Sequence, residues 1–176
     1  MSDKQKIMGA KAWLPLDNAS KIFLSTMTSA DTKVFRLTAS LTEAVRPDIL
    51  QKALERTYEH FPLYRAIIRR GIFWYFMEDT ALTPLASEED DILCAQIYHS
   101  THRGLLFRIL YRHNRIHLEV FHSLSDGSGA MSFFQLLLIA YFYYLDEGTD
   151  APRHKVFPAY TRAELNQDAF RLYNFK

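Results

Sequence analysis

The sequence contains a single cysteine, Cys94, among its 176 residues. One cysteine excludes an intramolecular disulfide and is typical of a protein that folds in a reducing compartment. Cys94 lies between Leu93 and Ala95, so we interpret it as a buried, inert thiol; a nucleophile would need an activating partner. Residues 1–11 also lack the apolar core of a signal peptide. These observations predict a cytoplasmic protein.

Charge of one sign and long apolar runs are also scarce. The formal net charge is +1, which offers no electrostatic case for binding nucleic acid or an anionic membrane. The apolar run from Met131 to Leu145 is short for a membrane span, and Ser132 and Gln135 interrupt it. His113 and His117 are four residues apart, but they fall on a turn and a strand, which separates them. We therefore predict no metal, no nucleic acid and no membrane span.

What the sequence does contain is the pattern of a globular domain. Hydrophobic residues make up 48% of the chain and aromatic residues 14%, enough for a core. Alternation from Val34 to Thr42 predicts a half-buried strand. A helix begins at Pro47 and ends before Pro62. Two hairpins follow, turning at Arg70-Gly71 and at His113-Asn114. Strands and helices in this order predict an α/β (α+β) domain in two layers.

The sharpest change of pattern falls at Phe121 to Gly127. The residues before it alternate as a strand does, and residues 128–145 predict a long helix that is apolar almost all round. Alternation places His122 on the same face as Leu118 and Val120, so the strand delivers His122 from its apolar side.

This corner has a chemical and a structural interpretation. His122 can take up a proton near neutral pH and return it. Asp126 can hold that histidine or the loop, and Gly127 allows unusual dihedrals or the close approach of a ligand. The alternative is an ordinary strand-to-helix turn, in which His122 fills space and Asp126 or Ser125 caps the helix.

Three stretches, in the expected order, resemble the chloramphenicol-acetyltransferase-like superfamily of CoA-dependent acyltransferases. His122, Asp126 and Gly127 match its His-x-x-x-Asp-Gly motif. His60 to Arg65 (HFPLYR) is similar to the segment that follows the first helix of the family. Leu14 to Ala19 (LPLDNA) is similar to its opening segment.

The resemblance implies direct acyl transfer from acyl-CoA to a small alcohol or amine. His122 would act as general base on the acceptor and would then protonate the leaving thiolate. Asp126 would be structural and paired with Arg65, and Gly127 would keep the channel open beside the histidine. Acyl-CoA would be a co-substrate, with no permanently bound cofactor.

The resemblance covers one lobe of a two-lobed fold whose channel runs between the lobes. It implies that residues 14–147 are the N-terminal lobe, a two-layer sandwich with a mixed β-sheet covered by helices. Residues 1–13 would be a tail, and residues 148–176 would lead to a second lobe or partner subunit. Phe121 stands where condensation domains carry the first of two histidines, which favours the alcohol acetyltransferase-like branch. The competing hypothesis is a non-catalytic binding or assembly module with a vestigial His122.

Overall fold

The structure, a computed structural model, describes residues 13–16, 18–71 and 74–146. These residues form three helices, seven strands and one short 3-10 helix at Pro62–Arg65. In chain order the elements are β1 (Trp13–Pro15), α1 (Asn18–Thr26), β2 (Val34–Ser40), α2 (Pro47–His60), β3 (Ala66–Arg70), β4 (Tyr75–Asp79), β5 (Ala86–Glu88), β6 (Phe107–Arg112), β7 (Arg115–Phe121) and α3 (Gly127–Leu145).

The strands form two sheets. One is an antiparallel sheet in the order β1-β4-β3. The other has the order β2-β7-β6-β5, in which β5 runs parallel to β6 and the other neighbours are antiparallel. A mixed sheet covered by helices confirms the predicted fold class, and the second, smaller sheet is an addition to it.

Helix α2 shows why the predicted elements form. Pro47 occupies its first turn, where a missing backbone N–H costs nothing. One face of the helix is buried, and fully burying a leucine such as Leu54 contributes about 1.5–3 kcal/mol. The buried residues are Ile49, Leu50, Ala53, Leu54, Thr57 and Tyr58. This face packs on α3, and the helix predicted to begin at Pro47 and to end before Pro62 is confirmed.

Helix α3 is the long apolar helix expected after the motif. It has 19 residues, begins four residues before Met131, and has a mean hydropathy of 1.3. Within the described ranges it is the one helix long and apolar enough to cross a membrane. It also lies in the core against α2 and the mixed sheet, burying Ala130, Phe133, Phe134, Leu136, Leu137, Ala140 and Tyr141. The absence of a membrane span therefore stays a prediction.

The predicted tail and linker fall almost wholly on residues 1–12 and 147–176, which lie outside the described residues. The boundaries of the lobe at residues 14 and 147 stay predictions as well.

Candidate active site

His122 directly follows β7 and is the first residue of the turn that leads from the mixed sheet into α3. Its backbone amide donates a hydrogen bond to the carbonyl of Lys33 at 2.8 Å. Lys33 has a φ of 55°, in the left-handed region that residues other than glycine seldom adopt. This bond ties the end of β7 to the residue that precedes β2.

The imidazole of His122 lies between two phenylalanines. The ring of Phe23, from α1, stacks on it with centroids 4.4 Å apart and 25° between the planes. The ring of Phe35, from β2, lies 5.0 Å away at 55°. Phe35 pairs with Val120 across the sheet, so His122 is on the apolar side of β7, as predicted.

The ring nitrogens of His122 form no hydrogen bond to any other described residue. Nδ1 is buried and has no hydrogen-bond partner in residues 13–16, 18–71 and 74–146. Nε2 likewise forms no hydrogen bond to another residue in the described part of the chain. A buried histidine that serves only the core usually satisfies its nitrogens. The side chain is nevertheless partly exposed, so a ligand can contact it.

Asp126 is the N-cap of α3. Its Oδ1 accepts a hydrogen bond from the backbone amide of Gly129 at 2.8 Å, which satisfies one of the free amides of the first helical turn. The hydroxyl of Ser125 donates to the carbonyl of Asp126 at 3.2 Å. The capping interpretation of the motif aspartate is therefore correct. A Cβ added at Gly127 would meet no atom within 4 Å, so the protein leaves open space there.

The predicted ion pair between Arg65 and Asp126 is wrong: no such pair forms in the described ranges. Arg65 makes a long bond, 3.5 Å, from Nη2 to the carbonyl of Glu59, and its guanidinium lies 5.6 Å from the ring of Tyr58. The reason is the 3-10 helix, in which successive side chains turn by about 120°. Tyr64 points into the core, so Arg65 points away from the motif.

Tyr64 takes the place that the arginine was expected to hold. Its side chain is 1% exposed, and its ring stacks on Phe133 at 4.1 Å. Its hydroxyl is buried beside Ser125 and Asp126, and burial raises the pKa of Tyr64 far above its ordinary value, so the hydroxyl stays neutral. Sequence analysis missed this residue, although it stands in the matched HFPLYR segment next to the arginine.

Helix α1 is joined to the motif turn by a reciprocal pair of hydrogen bonds. The hydroxyl of Ser20 donates to the carbonyl of Ser123, and the hydroxyl of Ser123 donates to the carbonyl of Ser20, both at 3.2 Å. Both serines are buried. Ser123 therefore anchors α1 beside His122.

A charge cluster that the sequence analysis also missed lies on the opposite face of β7. The carboxylate of Glu119 is fully buried and accepts bonds from Nε of Arg36 at 2.7 Å and Nε of Arg108 at 2.6 Å. Glu119 also accepts a hydrogen bond from the backbone amide of Cys94 at 2.9 Å. Arg36 forms a second ion pair, with Glu89. The cluster holds the segment after β5 against the sheet.

Burial raises the pKa of the half-buried Cys94 thiol, which supports the expectation of an inert cysteine.

Comparison with known proteins identifies the fold. No protein-family model matches the chain, and no curated protein matches it in sequence. A point mutant of the starter condensation domain of rhizomide synthetase superposes on 93% of this chain with a TM-score of 0.64 at 15% identity. The epimerization domain from the third module of tyrocidine synthetase B superposes on 86% with a TM-score of 0.64 at 14% identity. The X-domain from teicoplanin biosynthesis, solved in complex with OxyB, superposes on 88% with a TM-score of 0.58 at 17% identity.

These likenesses show the fold alone. The matched region covers 45%, 38% and 37% of the three solved chains, so this chain spans less than half the length of each. The chain has the fold of one lobe of a condensation domain, which belongs to the chloramphenicol-acetyltransferase-like fold that the motif predicted.

Proposed function

We propose that the chain is the N-terminal lobe of a CoA-dependent acyltransferase in which His122 is the general base. One observation carries this proposal: packing holds the imidazole of His122 in place, and no described residue hydrogen-bonds its nitrogens. A ring that is packed, partly exposed and not hydrogen-bonded by the residues that the structure describes is suited to exchanging a proton with a ligand.

In the proposed reaction the acceptor is a small alcohol or amine. His122 removes the proton of the acceptor hydroxyl or amine while the oxygen or nitrogen attacks the carbonyl carbon of the thioester. The tetrahedral intermediate collapses, the carbon–sulfur bond breaks, and the imidazolium gives its proton to the leaving thiolate of CoA. The histidine ends neutral, and the reaction needs no covalent enzyme intermediate. Asp126 and Gly127 act by shaping the turn that carries the histidine.

Acyl-CoA as the donor is supported by the neighbours in structure. One form of the starter condensation domain of rhizomide synthetase was solved in complex with C8-CoA, and another with C8-CoA and Leu-SNAC. We extend acyl-CoA binding to this chain as a co-substrate, without a permanently bound cofactor.

A second lobe, or a partner subunit, completes the proposed site, because this chain matches only 38% of the C8-CoA complex. The small net charge and the single cysteine support activity in the cytoplasm on small molecules rather than on nucleic acid.

The test is thiol release from acyl-CoA donors of different length with a panel of alcohols and amines. It is run on this chain and on the complete product of its gene, each with His122→Ala and with His99→Ala, an exposed histidine outside the site, as the control. We expect turnover by the complete product, a loss of at least about 10²-fold in kcat for His122→Ala, and no change for His99→Ala. Turnover that survives His122→Ala would reject the proposed base.

A second candidate is a binding or assembly module in which His122 is vestigial. It is favoured by the X-domain, which has this fold and was solved in complex with another protein. It is also favoured by exposed apolar side chains, including Trp74 and Leu85 at 65% and 73% exposure. If no acceptor supports turnover in either protein, this candidate replaces the enzyme.

A further inference from the structure

Helix α1 buries few of its residues, yet it is fixed at one end. Most of its described side chains are exposed or half-buried. The Ser20–Ser123 pair of hydrogen bonds nevertheless joins its first turn to the residue directly after His122. This pair of hydrogen bonds, the Ser20–Ser123 tether, therefore holds the first turn of α1 beside His122.

Phe23 lies on the same side of α1 as this tether. It follows Ser20 by three residues, the spacing that places two side chains on one face of a helix. Its ring centroid is 4.4 Å from that of His122 with the planes nearly parallel, a geometry of the offset-stacked class. The ring of Phe35 also contacts the imidazole, with the two ring centroids 5.0 Å apart.

The orientation of a catalytic histidine needs a fixed partner. In the serine-protease triad a buried carboxylate bonds one ring nitrogen and holds the imidazole in place. Here Asp126 is engaged with Gly129, and no described residue bonds a nitrogen of His122. Among the described residues, packing by the two phenylalanines is what remains to select the side-chain rotamer.

We propose that Phe23 is a positioning residue, which the Ser20–Ser123 tether holds against the imidazole so that His122 keeps one ring orientation. Its kinetic consequence rests on the proposed function, whereas its structural consequence does not. A phenylalanine that only fills space would be replaced by leucine with little effect on the histidine.

The experiment compares Phe23→Leu, Phe23→Tyr and Phe142→Leu. Phe142 is a half-buried phenylalanine of α3, about 22 Å along that helix from its start. Phe142→Leu therefore makes the same chemical change as Phe23→Leu, at a position away from His122. Ser123→Ala is the fourth variant, because it loosens the tether and keeps Phe23. The first readout is the NMR signals of the ring protons of His122, assigned by their loss in His122→Ala.

We expect Phe23→Leu to shift these signals downfield, because the ring current of Phe23 is lost, and to broaden them as the imidazole samples several rotamers. Phe23→Tyr should keep the wild-type signals, Phe142→Leu should leave them unchanged, and Ser123→Ala should move them in the same direction as Phe23→Leu. Unchanged line widths in a folded Phe23→Leu protein, or in Ser123→Ala if the leucine variant does not fold, would overturn the proposal.

The kinetic readout is made on the complete gene product. We expect Phe23→Leu to lower kcat by about ten- to a hundred-fold with KM nearly unchanged, since a small misplacement of the base costs turnover and not binding. Restoration of kcat in Phe23→Tyr supports positioning. An altered KM with a normal kcat would overturn it. If the NMR result holds and no variant or wild type turns over, positioning stands and the proposed enzymatic function fails.

Discussion

Oδ1 of Asp126 accepts a hydrogen bond from the backbone amide of Gly129 at 2.8 Å, and this bond holds the side chain of the motif aspartate in place. An aspartate at this position closes the first turn of α3 and places negative charge at the positive end of the helix dipole. Arg65 is directed elsewhere and bonds a backbone carbonyl. The turn that carries His122 is therefore held from the α3 side.

The first prediction separates a helix cap from an ion pair. Asp126→Ala should lower the free energy of unfolding by about 1 kcal/mol, since one amide of the first turn loses its acceptor. Asp126→Asn should cost much less, because asparagine is an equally good N-cap. Arg65→Ala should cost at most about 1 kcal/mol, since it removes the contact with the Tyr58 ring. Urea unfolding monitored by circular dichroism measures all three.

A double mutant provides the control for this prediction. With no ion pair, the costs of Asp126→Ala and Arg65→Ala should add. A cost of about 3–5 kcal/mol for Arg65→Ala, with strong non-additivity, would mean that the two residues form a buried pair in solution.

The second prediction concerns the close contact between Gly129 and Ser125. A Cβ added at Gly129 would lie 2.3 Å from Oγ of Ser125, so Gly129→Ala must displace the hydroxyl and break its bond to Asp126. We expect a cost of about 1 kcal/mol in unfolding free energy. Ser125→Ala should relieve the clash, so the double variant should be more stable than Gly129→Ala.

Gly127→Ala is the matched control for this contact, because open space surrounds its Cβ position. It should leave stability unchanged or raise it slightly, since alanine has less freedom in the unfolded chain. Equal losses for Gly127→Ala and Gly129→Ala would show that the steric account is incorrect.

The elements that the sequence predicted are those with a local signal. Pro47 with the apolar stripe behind it predicts α2, and alternation through Leu118 and Val120 predicts both β7 and the side on which His122 lies. The direction of Arg65 was mispredicted because it depends on a single 3-10 turn, which carries no periodic pattern. The contact between Phe23 and His122 joins residues 99 positions apart, and alternation within one segment contains no information about such a partner.

The third prediction addresses the charge cluster of β7. Glu119→Ala should lower the free energy of unfolding by about 3–5 kcal/mol, because it leaves Arg36 and Arg108 partly buried without their shared carboxylate. Glu59→Ala, which removes an exposed pair with Arg56, should cost at most about 1 kcal/mol. Denaturant unfolding of both variants gives the comparison, and similar losses at the two sites would contradict a buried network.

The fourth prediction is a pH dependence set by His117. This residue is 4% exposed, and its Nδ1 lies 2.9 Å from the hydroxyl of Thr38. No described residue hydrogen-bonds its Nε2, which lies 3.8 Å from Oε2 of Glu89. Burial lowers the pKa of His117 below its ordinary value of 6.5, and the neighbouring Arg36 lowers it further, against an opposing effect of Glu89. The unfolded chain therefore binds this proton more tightly than the folded chain does.

Because the folded pKa is depressed, the stability due to neutral His117 is complete above the unfolded value of 6.5. It falls as the pH drops below 6.5 toward the lowered pKa. The carboxylate of Glu89 titrates in a separate window, since pairing with Arg36 lowers its pKa below 4.5. Urea unfolding from about pH 8 to about pH 5 should thus show a decline in the wild type that His117→Gln largely removes, whereas His99→Gln keeps it. A decline of equal size in His117→Gln would assign the pH dependence to another group.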